Sequence, residues 1–283
     1  MSGGIDGDLL ERLRLSMAVL KIGLTPLSLP VYVLVVWIFI MKPEFKNLVA
    51  YKIIVSLGLM DCLYLLQSTS AGVLTFVWPR YLSEYEIFQE GSVHNFARVV
   101  SCARNGHLLA MPLLSFVLAV NRFTVMLGLK TSGLGNKVYM VLIWFSWILY
   151  IPLTLILHFT DIDIEFEFII DSFTYYSEHD FFTYLLGYGG SILEFGAFAC
   201  TLGIVLVLLL QKRVFGTRFK ISSLELRLII QSLLICVPLS IVTLAGMLFP
   251  TEIDRIPWLY VFWHSLATLM PTINLAVYII FNP

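Results

Sequence analysis

Apolar residues run along this chain in seven blocks, near 17–40, 49–76, 96–127, 139–160, 183–210, 227–249 and 258–281, each closed off by a shorter polar stretch. Every block exceeds the roughly 20 residues that a helix rising ~1.5 Å per residue needs to cross ~30 Å of hydrocarbon. The third block is the least uniform, because Arg98, Arg104, Asn105 and His107 dilute its first half before an apolar run from Leu108 to Leu127. A helix that polar must face protein or water there and not lipid. No internal repeat, low-complexity tract or linker interrupts the pattern. It predicts one domain over residues 1–283, an all-α membrane protein built as a seven-transmembrane helix bundle.

Composition fits this reading: 59% of the 283 residues are hydrophobic and 13% charged, with a mean hydropathy of +0.88. The net charge of -1 carries no message about a nucleic-acid partner, since the charges sit at the ends of apolar blocks. Their placement does carry one. The connections 41–48, 128–138 and 211–226, with the flanking Lys52, Arg122 and Arg227, hold eleven of the 18 Lys and Arg. The opposite side holds 15 of the 19 Asp and Glu. Positive charge stays in the cytoplasm, which predicts the N-terminus outside and the C-terminus inside. Asp6, Asp8 and Glu11 stand where a secretory signal would be basic, so the first helix is expected to be retained. The pattern for N-myristoylation and any Asn-x-Ser/Thr acceptor are both missing. The acidic, aromatic loop TDIDIEFEFIIDSFTYYSEHD alternates like a strand and predicts a short strand or hairpin lid on the outer side.

Cys62, Cys102, Cys200 and Cys236 all fall in predicted helices without Cys-x-x-Cys spacing and read as free thiols. The five histidines show no i, i+4 pairing, so neither a metal nor another cofactor is expected. Ionisable groups at membrane depth are expensive and usually functional. They are Asp61 in VSLGLMDCL, Arg104 and Arg122 in the third helix, and Glu194 in GSILEFGAF; Asn274 and Tyr278 add polarity to the seventh.

Each has more than one reading. Arg122, near the cytoplasmic end of its helix, is placed either to snorkel to headgroups or to act at a cytoplasmic crevice. Arg104 precedes it by 18 residues, which puts both on one face ~27 Å apart. Asp61 has long apolar flanks and a side chain too short to snorkel, so it belongs to an interior network. Glu194 pairs with Arg104 or a hydroxyl, or else meets a ligand. Pro152 and Pro238 free backbone carbonyls and bend their helices. Depth and inward face make Arg104, His107, Glu194, Trp263 and His264 the ligand-binding candidates.

Enzymatic function is not expected, since His-x-x-x-His, Gly-x-Ser-x-Gly and paired intramembrane aspartates are all missing. Residues 258–281 hold no lysine for a retinal Schiff base. A transporter or ligand-gated channel remains the alternative, although a carrier of this size would show a repeat and helices broken near the midplane.

The motifs add a resemblance. Asn121-Arg122-Phe123 resembles the Asp/Glu-Arg-Tyr triplet closing the third helix of rhodopsin-like G-protein-coupled receptors, and Asp61 in SLGLMD resembles their second-helix aspartate. Asn274-Leu-Ala-Val-Tyr278 is similar to Asn-Pro-x-x-Tyr, with Leu275 in place of proline, and Trp144 and Trp147 are both candidates for the fourth-helix tryptophan. The stretch LPVYVLVVWIFIMKPEFKNLVAYKIIVSLGLMDCLYLL further resembles nematode serpentine chemoreceptors, class V and its relatives among classes G, T, U, V and X. That resemblance implies a sensory G-protein-coupled receptor in the plasma membrane of a sensory cilium. It implies a small-molecule ligand, a heterotrimeric G protein as partner, and Asn121, Arg122, Phe123, Asp61, Asn274, Tyr278 and Pro238 as the coupling and activation residues.

Overall fold

A computed structural model of the chain describes residues 7–46, 48–77, 92–128, 133–159, 164–167, 172–175, 180–215, 223–248 and 256–281. Seven long helices dominate them: α1 (Gly7–Met41), α3 (Val49–Val77), α4 (Ser92–Met126), α5 (Gly133–Phe159), α6 (Asp180–Phe215), α7 (Ser223–Leu248) and α8 (Pro257–Phe281). A four-residue helix, α2 (Pro43–Lys46), turns the chain between α1 and α3. The acidic, aromatic loop before α6 holds an antiparallel pair, β1 (Ile164–Glu167) and β2 (Ser172–Tyr175), with Ile164 opposite Tyr175 and Glu167 opposite Ser172. The alternation of the loop thus becomes a hairpin.

Six of the long helices are apolar and long enough to cross a membrane: Arg12–Met41, Val49–Phe76, Asn95–Met126, Gly135–Ile156, Tyr188–Gln211 and Val261–Phe281. In α7 the apolar stretch of described residues is shorter, Ile229–Ala245. The chain is an integral, multi-pass membrane protein. Its polarity is inverted relative to a soluble fold. Leu27, Trp37, Trp144, Ile192 and Ile280 are exposed large hydrophobics, whereas Asp61, Asn121, Arg122, Glu194 and Asn274 are buried. Lipid tails are as apolar as leucine, so the outward side chains cost nothing there and polar groups gather inside.

Helix α4 packs against α3, α5, α6 and α7. Small residues permit this. A Cβ on Gly106 would lie 2.9 Å from the Tyr150 carbonyl oxygen of α5, and one on Gly190 of α6 would run into the Leu108 carbonyl of α4. Close backbone approach of this kind substitutes for the hydrophobic drive that lipid removes. Several interior hydroxyls bond back into their own helices, as Thr154 does to the Tyr150 carbonyl at 2.7 Å and Thr268 to the His264 carbonyl at 2.8 Å, which satisfies those two donors within the helix.

The main apolar cluster joins α1, α3, α4, α5, α7 and α8 around Tyr32, Leu57, Leu114, Leu118, Ile235 and Tyr278. At one end of it, aromatic rings clasp α1, α2, α3 and α8. Phe45 stands 5.3 Å from Phe39 and 4.4 Å from Tyr51 between centroids, and Phe39 meets Tyr278 edge-on at 6.4 Å. The structure also separates the two tryptophans of α5. Trp144 is exposed, while Trp147 turns inward and donates from Nε1 to Ser56 Oγ of α3 at 2.7 Å.

Candidate functional site

Asp61 is 1% exposed in the middle of α3. Its neighbours come from α1 and α8, which flank α3. The Tyr32 hydroxyl lies 2.7 Å from Asp61 Oδ2 and also 2.7 Å from the Pro271 carbonyl oxygen. Asn274 donates from Nδ2 to the same Oδ2 at 3.1 Å. Towards the start of α1, Ser28 hydrogen-bonds Thr272 of α8 at 3.0 Å, and Thr25 donates to the Leu65 carbonyl of α3 at 2.9 Å. Thr69 donates in turn to Thr25. A polar seam thus ties α1, α3 and α8 together at a depth where each unmade hydrogen bond would be costly. Tyr278 closes its inner end, edge-on to Tyr32 at 6.3 Å between centroids.

The seam forms one wall of a cavity of about 330 Å³ between α3, α4, α6, α7 and α8. Its polar rim is Asp61, Tyr64, His107, Ser191, Thr243 and Asn274. The His107 ring stacks on Tyr64 with centroids 4.8 Å apart. The remaining wall is apolar, with Leu108, Met111, Pro112, Leu239, Val242 and Met270. A concave, mostly apolar space with a few convergent polar groups is the usual form of a small-molecule site.

Of the five expected ligand contacts, only His107 lines this cavity among the described residues. Arg104 is half-buried one turn before it and bears electrostatically on both His107 and His264. His264 and Trp263 are half-buried in the first turns of α8, and Lys21 lies near His264. Glu194, 1% exposed, does not pair with Arg104, because neither carboxyl oxygen has a hydrogen-bond partner among the described residues. Its carboxyl is turned towards Ser115 of α4 and Ser240 of α7. Of these groups His107 reaches the cavity, while Glu194 is directed at the α4–α7 side chains.

The Asn121-Arg122-Phe123 triplet lies at the other end of α4. Asn121 and Arg122 are buried at 5% and 6% exposure. Arg122 Nε and Nη2 have no hydrogen-bond partner among the described residues, and Tyr51 of α3 is an electrostatic neighbour. Phe123 is half-buried against Gly203 of α6. The Thr124 hydroxyl bonds the Tyr139 hydroxyl of α5 at 2.9 Å, fixing the end of α4 to the start of α5. Pro238 lies half-buried inside α7.

Tyr32 was legible only as part of the LPVYVLVV stretch of the first helix, because a tyrosine within an apolar block reads as a hydrophobic residue. Tyr64, Ser191 and Thr243 carried no signal beyond helix spacing. Comparison of the chain with protein-family models and with curated proteins finds no match.

Proposed function

We propose that the chain is a seven-span, G-protein-coupled chemoreceptor of the serpentine type, with its N-terminus outside and its C-terminus in the cytoplasm. The observation that carries this reading is the pairing of a ligand-sized cavity with a buried, incompletely bonded arginine on one continuous helix. His107, Leu108, Met111 and Pro112 of α4 line the cavity, and Arg122 follows Pro112 by ten residues, about 15 Å along the axis. Helix α8 runs likewise from Met270 and Asn274 at the cavity to Tyr278 in the aromatic clasp. A molecule that fits one packing of these helices better than another shifts the balance between them, and both helices carry that shift to the cytoplasmic end. A heterotrimeric G protein reads it there. The ten-residue separation along α4 between Pro112 at the cavity and Arg122 supports a sensor with separate input and output ends.

The test is guanine-nucleotide exchange. The chain in lipid nanodiscs with a heterotrimeric G protein should accelerate exchange when a panel of small odorants is applied. Odorant-dependent ion or solute flux in protein-only liposomes, with no effect on exchange, would replace this reading with a channel or carrier.

The triplet sets the basal level. Asn121 offers Arg122 an amide, which bonds a guanidinium without neutralising it. An acid there should strengthen the restraint by about 1 kcal/mol, and Asn121→Asp should lower ligand-free exchange about fivefold. Basal exchange that is unchanged or higher at matched protein levels would remove that role from Asn121.

A further inference from the structure

Two short oxygen–oxygen contacts converge on a single hydroxyl at the cavity wall: Tyr32 Oη stands 2.7 Å from Asp61 Oδ2 and 2.7 Å from the Pro271 carbonyl oxygen. Both are at full O–H···O bonding distance, about 2.7–2.8 Å, and a single hydrogen shared between them would be bent away from both, so two near-linear bonds need two hydrogens. A phenol supplies one, and a carbonyl supplies none. The Asn274 amide is directed at Asp61 Oδ2 and takes part in neither contact. With an ionised carboxylate, one of the two oxygen pairs would face lone pair to lone pair. The missing hydrogen has one remaining source, the Asp61 carboxyl.

We infer that Asp61 is held as the neutral acid, donating to Tyr32, which donates in turn to the Pro271 carbonyl, and that the cavity beside it takes a small uncharged molecule. The second half of this inference rests on the receptor reading; the first does not. An O–H···O–H···O=C chain leaves every member satisfied and lets each bond polarise the next. It also joins α3 to α1 and α1 to α8 through hydrogens that an ionised Asp61 could not provide.

The surroundings agree. The titratable groups facing Asp61 are Tyr32 from α1, Cys62 beside it on α3, Tyr278 from α8 and, around the cavity, Tyr64 on α3 and His107 from α4. Helices α6 and α7 contribute Gly190, Ser191, Leu239, Val242 and Thr243 to the cavity, none of them charged. No Lys or Arg lines the cavity among the described residues. Arg104 bears on His107 from outside the lining, so a bound anion would meet no cation on the cavity wall itself. A bound ammonium would require Asp61 to ionise and the Tyr32–Pro271 link to break. A neutral molecule disturbs neither. At about 330 Å³ the space is at the small end of ligand cavities, roughly 300–1,000 Å³. The fit is an apolar body with one hydrogen-bonding group.

Infrared spectroscopy of the purified chain in nanodiscs tests the first half. The carbonyl stretch of a neutral carboxylic acid should be present at neutral pH, disappear in Asp61→Asn, and shift in Tyr32→Phe, which removes the acceptor. Glu194 is a second buried carboxyl, so the difference between wild type and Asp61→Asn isolates Asp61. Asparagine keeps the size and can donate to Tyr32 once the Asn274 amide turns to present its oxygen in place of its nitrogen, so that variant should fold with an unchanged melting temperature. Identical acid bands in wild type and Asp61→Asn would overturn the proposal.

For the second half, hexanol, hexylamine and hexanoate are compared by saturation-transfer NMR. Ala267 of α8 also lines the cavity; hexanol should show transfer that Ala267→Phe, which puts a ring into that space, abolishes, and hexylamine and hexanoate should bind at least tenfold more weakly. Preference for hexylamine, sensitive to Ala267→Phe, would overturn the ligand class. The infrared result needs no signalling, so loss of the receptor reading alone would leave it standing.

Discussion

Gly190→Ala should lower the melting temperature of the detergent-solubilised chain by several degrees, with a destabilisation of about 1–3 kcal/mol typical of an overpacked core. The added Cβ collides with the Leu108 carbonyl oxygen of α4 and lies 3.5 Å from Pro112 Cγ. The first of these is backbone and cannot rotate away, so α4 and α6 must separate. Gly189 next to it provides a graded comparison, because its Cβ would meet only Leu109 Cδ2 at 3.0 Å and Leu185 Cδ1 at 3.7 Å, both ends of flexible side chains. Gly189→Ala should cost much less. At Gly23 of α1 nothing lies within 4 Å, and alanine there should be neutral or stabilising by up to ~1 kcal/mol through helix propensity. The order of stability should therefore be Gly23→Ala, then Gly189→Ala, then Gly190→Ala. Equal melting temperatures for all three would mean that α4 and α6 do not approach this closely in the folded chain. Gly190 also lines the cavity, so its alanine variant should bind hexanol more weakly as well.

The contrast among these glycines marks where the sequence is readable and where it is not. Long apolar blocks are legible because the bilayer imposes length and composition on each segment independently of its neighbours. The helices overrun the blocks at their ends, as α1 does to Gly7 and α6 to Phe215, because helical hydrogen bonds do not stop where hydropathy does. The short α2 (Pro43–Lys46) was not predicted, since four residues show no period. In the hairpin, IEFE of β1 alternates and SFTY of β2 does so less clearly. The same division holds at the site. Asp61, His107 and Asn274 stood out as polar groups in apolar blocks, and the fold brings all three to one cavity. Tyr32 did not stand out, because its importance depends on α1 lying between α3 and α8. Arg104 and Glu194 were placed at compatible depths yet stay apart, and Trp144 points out where Trp147 points in. In each case depth follows from position along one helix, whereas partnership follows from rotation, which only packing sets.

On the receptor reading, Arg122→Ala should abolish odorant-stimulated nucleotide exchange while the protein still reaches the surface. The stability of the variants separates a signalling role from a structural one. Arg122 is buried at 6% exposure, and Nε and Nη2 have no hydrogen-bond partner among the described residues. Such a charge is costly to keep in an apolar setting, and exchanging it for a hydrophobic residue of similar volume is often neutral or stabilising. Arg122→Met should therefore melt at the wild-type temperature or above it, and yet lose at least tenfold in stimulated exchange. Arg122→Lys keeps a charge but not the planar fork of donors, so it should recover only part of the response. A residue kept for packing would give the reverse: a lower melting temperature in Arg122→Met with exchange intact. Wild-type exchange in Arg122→Met at equal surface level would remove the arginine from the output of the switch. It would leave Asp61, Tyr32 and the Pro271 carbonyl as a seam between α1, α3 and α8 with no established link to the cytoplasmic end.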